Sequence, residues 1–74
     1  MPTEKTLDLR GDVCPGPLIQ VQEAVSQAER GDSFLVLVDY PLAAESIARW
    51  AEGEGYAVSI GQRRGEWEIR FRLP

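Results

Sequence analysis

The sequence predicts a two-layer α+β sandwich, in which a four-stranded mixed sheet carries both of its helices on one face. The apolar periodicity changes along the 74 residues in the order strand, helix, strand, helix, strand, strand (βαβαββ). The first three elements favour a right-handed parallel crossover, and the last two favour an antiparallel hairpin. Because two helices cannot cover both faces of four strands, we expect one sheet face to stay open.

The first half of the chain is predicted to contain two strands and a helix. Residues 1–5 are polar and expected to fray, whereas residues 6–10 alternate like a half-buried strand. A helix starts at Pro17 and stops at Gly31. Residues 34–38 form a continuous apolar run, which predicts a central strand whose second face is covered by neighbouring side chains or by an interface. The apolar stripe of the helix comprises Leu18, Val21, Ala24, Val25 and Ala28.

The second half is predicted to contain a helix and a hairpin. A turn over residues 39–41 leads into a helix over residues 42–54. Residues 56–60 and 66–73 alternate as strands, and residues 61–65 are assigned to the turn between them. The positions predicted to be buried on these elements are Ala43, Ala44, Ile47, Trp50, Ala51 and Trp67.

Length and composition limit the function classes. A chain of 74 residues predicts a single domain spanning residues 1–74. It has no histidine and one cysteine, which excludes a Cys–His pair, a Ser–His–Asp triad, a Cys/His zinc site and an internal disulfide. We therefore expect no metal and no cofactor. The apolar run 34–38 is too short to cross a bilayer and no leader segment is evident, so the sequence predicts a cytoplasmic protein with no membrane partner.

The charge distribution leaves two interpretations open at the carboxyl end. Twelve acidic residues against eight basic ones give a net charge of −4, which argues against direct nucleic-acid binding. Residues 61–74 nevertheless carry four arginines, among them Arg63 and Arg64. This segment is either a solvated hairpin or a docking patch for an acidic partner. Ile19, which falls off its helical stripe, is likewise either partly buried or a contact for a partner.

The single thiol lies in a rigid frame between the first strand and the first helix. Cys14 is followed by Pro15, Gly16 and Pro17. Each proline favours extended backbone in the residue before it, and Pro17 suits the start of a helix. A helix N-terminus favours a thiolate by about 0.3–1 kcal/mol, so the thiol is expected to be usable without being strongly acidic. With no second cysteine to resolve a disulfide, Cys14 suits carrying a group better than thiol–disulfide exchange.

Together these motifs resemble the TusA/SirA-like sulfur-carrier family. The resemblance is carried by Leu7-Asp8-x-Arg10-Gly11, by Cys14-Pro15-x-Pro17 and by an Asp-x-Pro turn that starts at Asp39. It implies a βαβαββ fold and a persulfide on Cys14. It also implies that Pro15, Gly16 and Pro17 frame the thiol, and that Asp8, Arg10, Gly11 and Asp39 support the loop that approaches it.

The resemblance also implies partners. The donor would be a cysteine desulfurase or another sulfurtransferase, and an acceptor protein would take the sulfur into tRNA 2-thiouridine formation, molybdenum-cofactor synthesis or other sulfur metabolism. Such a protein is a carrier that acts with catalysts supplied by its partners. A second hypothesis from a different class is a regulatory or adaptor module, in which Cys14 is incidental or senses redox state. In that case Ile19, Arg63 and Arg64 would carry the function through protein contacts.

Overall fold

A computed structural model describes residues 4–11 and 16–74 of the chain, and within them the predicted order of elements is confirmed. The predicted site residues Cys14 and Pro15 lie outside the described residues. The elements are β1 (Glu4–Asp8), α1 (Gly16–Ser26), β2 (Ser33–Val38), α2 (Pro41–Gly53), β3 (Ala57–Arg63) and β4 (Glu66–Arg72).

The four strands form one mixed sheet with the order β1-β2-β4-β3. β1 pairs with β2 in parallel, so α1 is the crossover between them, and β4 pairs antiparallel with both β2 and β3. The carboxyl ends of β1 and β2 therefore meet the β3–β4 turn at one end of the sheet. This is also the end from which the chain enters α1 and α2.

The core lies between the helices and one face of the sheet. On β2 the residues Phe34, Val36 and Val38 are buried, and on β4 Ile69 and Phe71 lie opposite to them. The remaining buried apolar residues of the core are Leu9, Val21, Ala43, Ala44, Ile47, Ala51 and Leu73. Val21 and the α2 positions confirm the helical stripes that the sequence predicts. Trp50 and Trp67 are half-buried and pack against this core.

Aromatic packing links the sheet to the end of α2. The Phe71 ring stacks on Phe34, with centroids 5.2 Å apart, and on Tyr56 at 5.7 Å. Trp50 meets Phe71 edge-to-face at 6.1 Å. Stacked and edge-to-face geometries are favoured for aromatic pairs, and they stabilise the fold in addition to the burial of apolar area.

Two element ends near the start of the chain differ from the prediction. β1 begins at Glu4, where Glu4 and Lys5 pair with Ser33 and Phe34, so these residues do not fray. α1 ends at Ser26, several residues before Gly31, because the Asp32 carboxylate accepts the N–H of Glu29 at 3.1 Å. That bond takes a donor that a continuing helix would have used.

The predicted turn over residues 61–65 is also shorter than expected. Gly61 lies within β3, opposite Glu68, and Arg63 pairs with Glu66. The turn consists of Arg64 and Gly65 alone, with φ angles of 49° and 79°. Positive φ at both positions is typical of a two-residue type I′ hairpin turn. The backbone of Arg64 therefore has a left-handed conformation, which glycine or asparagine adopts more easily than arginine does.

The open face of the sheet carries ion pairs over the second side of β2. Leu35 and Leu37 are half-buried there, in register with Arg70 and Glu68 of β4. Arg70 reaches across β2 to Glu4 of β1, with Nη1 3.2 Å from Oε1. The apolar run of β2 is thus covered on one face by the helices and partly covered on the other by charged neighbours.

Candidate functional site

The segment that leads toward Cys14 is tied to the end of the sheet by backbone hydrogen bonds. The N–H of Leu9 donates to the carbonyl of Leu37 at 2.8 Å and so extends the β1–β2 ladder beyond β1. The N–H of Gly11 donates to Oδ1 of Asp39 at 3.0 Å. Gly11 has a φ of 90°, a backbone conformation that is strained for residues with a side chain. The chain is therefore fixed at two points within the six residues before the thiol.

Arg10 lies between these two anchors and binds two carboxylates. Its Nε and Nη2 donate to Oδ1 and Oδ2 of Asp8 at 2.8 and 2.7 Å, which is the bidentate geometry that guanidinium groups favour. Its Nη1 donates to Oε2 of Glu66 at 3.3 Å. The contact with Glu66 joins the approach loop to the β3–β4 hairpin.

These bonds change the acidity of both partners. The Arg10 side chain, and next its backbone N–H, lower the pKa of Asp8 from 3.8 to about 2. Asp8, and next Glu66, raise the pKa of Arg10 above its ordinary value. Because two carboxylates already oppose the Arg10 charge, we expect it to add little to thiolate formation at Cys14.

The far side of the thiol segment enters α1 directly. The helix begins at Gly16, one residue before the predicted start, and Pro17 is buried in its first turn. Gly16 has no positive φ, and a Cβ built on it meets none of the described atoms within 4 Å. Within the described part of the chain, nothing in the packing requires glycine at this position.

The structure brings most of the predicted site residues to one end of the sheet. Asp8 with Arg10, and Gly11 with Asp39, form two hydrogen-bonded pairs that adjoin along the chain, and Gly16 and Pro17 begin α1. Sequence reasoning missed Glu66, because its contact with Arg10 joins positions 56 residues apart. No local pattern reports such a contact.

Exposed apolar residues accompany this end. Ile19 in α1 is 48% exposed, so about half of its surface is open to solvent. Leu42 in the first turn of α2 is 55% exposed and was not identified from the sequence. It falls off the buried stripe of its helix, the same signal that identifies Ile19.

Arg63 and Arg64, at the β3–β4 turn, are exposed to solvent. Arg63 approaches Glu68 at 3.4 Å while its side chain is 77% exposed. Arg64 is exposed at the turn, and among the described residues it has no ion pair. The two guanidinium groups are therefore available to another molecule.

Residues 4–11 and 16–74 contain neither a metal-binding cluster nor a membrane-spanning helix. The described residues contain no group of three or more acidic, histidine or cysteine side chains that could hold a metal ion. None of the helices in that same part of the chain has the length and apolar character needed to cross a membrane.

Comparison with known proteins assigns this arrangement to a family. The family model described as Sulfurtransferase TusA matches residues 5–73. A protein of Escherichia coli named "Putative sulfur carrier protein TsuB" is 37% identical over 67 residues, covering 88% of this chain and 89% of its own. A relative from Methanocaldococcus jannaschii, with a name of the same form, is 39% identical over 69 residues, covering 93% and 88%.

A solved structure has the same fold. The crystal structure of a SirA-like protein from Desulfitobacterium hafniense superposes with a TM-score of 0.81 at 31% sequence identity. The match covers 92% of this chain and 95% of that one. The mixed four-stranded sheet with two helices is thus shared with this SirA-like protein.

Proposed function

Because this chain belongs to the TusA family of sulfurtransferases, we propose that it carries sulfur as a persulfide on Cys14. The observation that carries the proposal is the family match over residues 5–73 of a chain whose sole cysteine is Cys14. The names of its relatives support the sulfur-carrier role. A lone thiol can hold a sulfur atom without a metal, a histidine base or a second cysteine.

The loading step is a sulfur transfer without net oxidation. The Cys14 thiolate attacks the terminal sulfur of a persulfide on the donor protein. A new S–S bond forms at Cys14, the S–S bond of the donor breaks, and the donor thiolate leaves. Delivery repeats the exchange in the opposite sense, when an acceptor nucleophile attacks the terminal sulfur and Cys14 leaves as a thiolate. The donor and the acceptor supply the general acid and base, because this chain has no histidine.

The residues around the thiol segment act as positioning groups. Asp39 holds the backbone of Gly11, and Asp8 holds Arg10 in a fixed orientation. On the other side, Pro17 is buried in the first turn of α1. Holding both ends of a short segment lowers the entropy that docking must remove, which favours transfer between two protein active sites. Pro15 is assigned to the same frame, and Gly16 leaves room for the active site of a partner.

The partners are assigned by class. A cysteine desulfurase or another sulfurtransferase would load the thiol, and a downstream acceptor protein would receive the sulfur. The acceptor belongs to tRNA 2-thiouridine formation, molybdenum-cofactor synthesis or another branch of sulfur metabolism. Ile19, with Leu42 beside the same end of the sheet, offers apolar contact area to these proteins. Arg63 and Arg64 offer positive charge, so an acidic surface is the expected complement.

Intact-mass measurement after incubation with a cysteine desulfurase and free cysteine tests the proposal. Wild type should gain one sulfur atom that a reductant removes, while Cys14→Ser should gain none and keep the wild-type circular dichroism spectrum. A second donor arm uses thiosulfate with a thiosulfate sulfurtransferase. Failure of both donors to load the folded wild-type protein, or equal loading of Cys14→Ser, would contradict the carrier role and favour the adaptor hypothesis.

A further inference from the structure

The outer edge of β3 differs from the opposite edge of the sheet. β3 has seven residues, of which all except Val58 are exposed, and among residues 4–11 and 16–74 it pairs with β4 alone. It contains no proline and no charged residue before Arg63. β1, at the other edge, has five residues of which Glu4, Lys5 and Asp8 are charged. Charges and short length are how natural sheets protect their edges, so β1 is protected and β3 is open to another strand.

An exposed isoleucine accompanies this open edge. Ile60 is 51% exposed and lies opposite Ile69, on the side of the sheet that the helices cover. It lines a groove between β3 and α2, together with Trp67 and Ala48. A large apolar side chain beside unpaired backbone groups favours strand addition, because both kinds of group are removed from water at once.

The charges at the two ends of β3 have opposite sign. The chain enters β3 from Glu52 and Glu54, which are exposed at the end of α2, and leaves it through Arg63 and Arg64. An antiparallel copy of the same strand brings the basic end of one chain to the acidic end of the other. A parallel copy would bring like charges together.

We propose that β3 is a self-association edge, which pairs antiparallel with β3 of a second copy and continues the two sheets into one of eight strands. The two-fold axis passes close to Ile60, and both α2 helices lie on the same side of the joined sheet. β1 is the strand farthest from the axis, and the carboxyl ends of the two β1 strands point in opposite directions. Residues 9–11, which lead toward Cys14, therefore lie far from the axis in both copies. This assignment does not depend on the sulfur chemistry. In the dimer, Arg63 and Arg64 of one copy face the acidic end of β3 in the other copy, where Glu52 and Glu54 precede the strand.

Sedimentation of the full chain at low salt, from about 10 µM to about 1 mM, tests the proposal over the range expected for a small interface. The mass should rise from the 8.2 kDa monomer toward twice that value. Ile60→Glu should stay monomeric, and Ile19→Glu, the same change at an isoleucine of similar exposure, should associate like wild type. A wild type that remains monomeric throughout would overturn the proposal and leave this edge to a strand from a different protein. Dimerisation that survives Ile60→Glu would overturn it as well.

Charge reversal tests the antiparallel direction. Glu54→Arg and Arg64→Glu should each weaken association about 3- to 10-fold at low salt, since every change acts twice in a symmetric dimer. The double variant carries both reversals and should regain wild-type association. Additive weakening in the double variant would overturn the antiparallel assignment. Circular dichroism of each variant shows that the monomer remains folded, since both positions are exposed.

Discussion

On its helix-covered face, strand β2 presents Phe34, Val36 and Val38, each at most 1% exposed, whereas its open face presents Leu35 and Leu37 only half-buried beneath ion pairs. The first face excludes water through close packing of apolar and aromatic groups. The second combines partial apolar cover with charges that stay in contact with solvent. We infer that the stability of the fold depends mainly on the first face. The side chains of the open face and of the end of the sheet can then be suited to partner proteins, since the fold depends less on them.

The largest expected effect is on the packed face. Phe71→Ala removes a ring that contacts Phe34, Tyr56 and Trp50, and it should lower the free energy of unfolding by about 3–5 kcal/mol. A domain of this size has about 4–11 kcal/mol in total, so this variant is close to the limit of folding. Phe71→Leu, which keeps more of the volume, should cost less and remain folded. Urea denaturation measures both, and a loss below 1 kcal/mol for Phe71→Ala would contradict the contrast between the faces.

An intermediate effect is expected at the end of the sheet. Asp39→Ala removes the acceptor of the Gly11 N–H and should lower the free energy of unfolding by about 0.5–1.5 kcal/mol. It should also slow sulfur loading several-fold, because the segment before Cys14 loses an anchor. Asp39→Asn keeps the side-chain oxygen and should restore most of both quantities. The loading rate under single-turnover conditions is the decisive readout. Wild-type loading by Asp39→Ala would show that the anchor does not serve transfer.

A small effect is expected on the open face. Arg70→Ala breaks the pairs with Glu4 at 3.2 Å and Glu68 at 3.9 Å, all exposed or half-exposed groups. The free energy of unfolding should fall by about 0.2–1 kcal/mol at low salt, and this difference should shrink at high salt because solvent ions screen it. Arg72→Ala, on the same strand and without an ion pair in the described residues, is the matched control. A loss as large as that of Phe71→Ala would remove the distinction between the faces.

The smallest effect is on the pH dependence of stability. The pKa of Asp8 is 3.8 ordinarily and about 2 in the folded protein. Its contribution is therefore fully present above pH 3.8 and is lost as the pH falls toward 2, when the carboxylate binds a proton and releases Arg10. NMR titration of the Asp8 carboxyl carbon should give a midpoint near 2 in wild type and near the ordinary value in Arg10→Ala. An unshifted midpoint in wild type would show that the pair with Arg10 does not form.

The sequence predicted the fold because its elements are encoded locally. Alternation in residues 66–73 and the helical stripe through Ile47 were sufficient to predict the two-layer arrangement, which the structure and its SirA-like neighbour confirm. The errors arose where one side chain outweighed the pattern. Asp32 ended α1 early by taking the Glu29 N–H. The sequence pattern predicts a turn at Gly61, whereas pairing with Glu68 keeps this residue in β3.

The candidate site was predictable to a smaller extent. The family resemblance implies roles for Asp8, Arg10, Gly11 and Asp39, and the structure joins Asp8 to Arg10 and Gly11 to Asp39 by hydrogen bonds. The contact of Arg10 with Glu66 and the exposure of Leu42 depend on how distant segments meet, so no local motif reports them. The role of Cys14 itself stays a prediction, since it lies outside the described residues.

Quantitative cyanolysis of the loaded protein tests whether the sulfur is a persulfide on Cys14. Wild type is loaded by a cysteine desulfurase, separated from the donor and treated with cyanide, which removes the terminal sulfur of a persulfide as thiocyanate. We expect one thiocyanate for each loaded chain and a return of the intact mass to that of the free thiol, with neither change in Cys14→Ser. Sulfur that resists cyanide, or thiocyanate released equally by Cys14→Ser, would contradict a persulfide carried on Cys14.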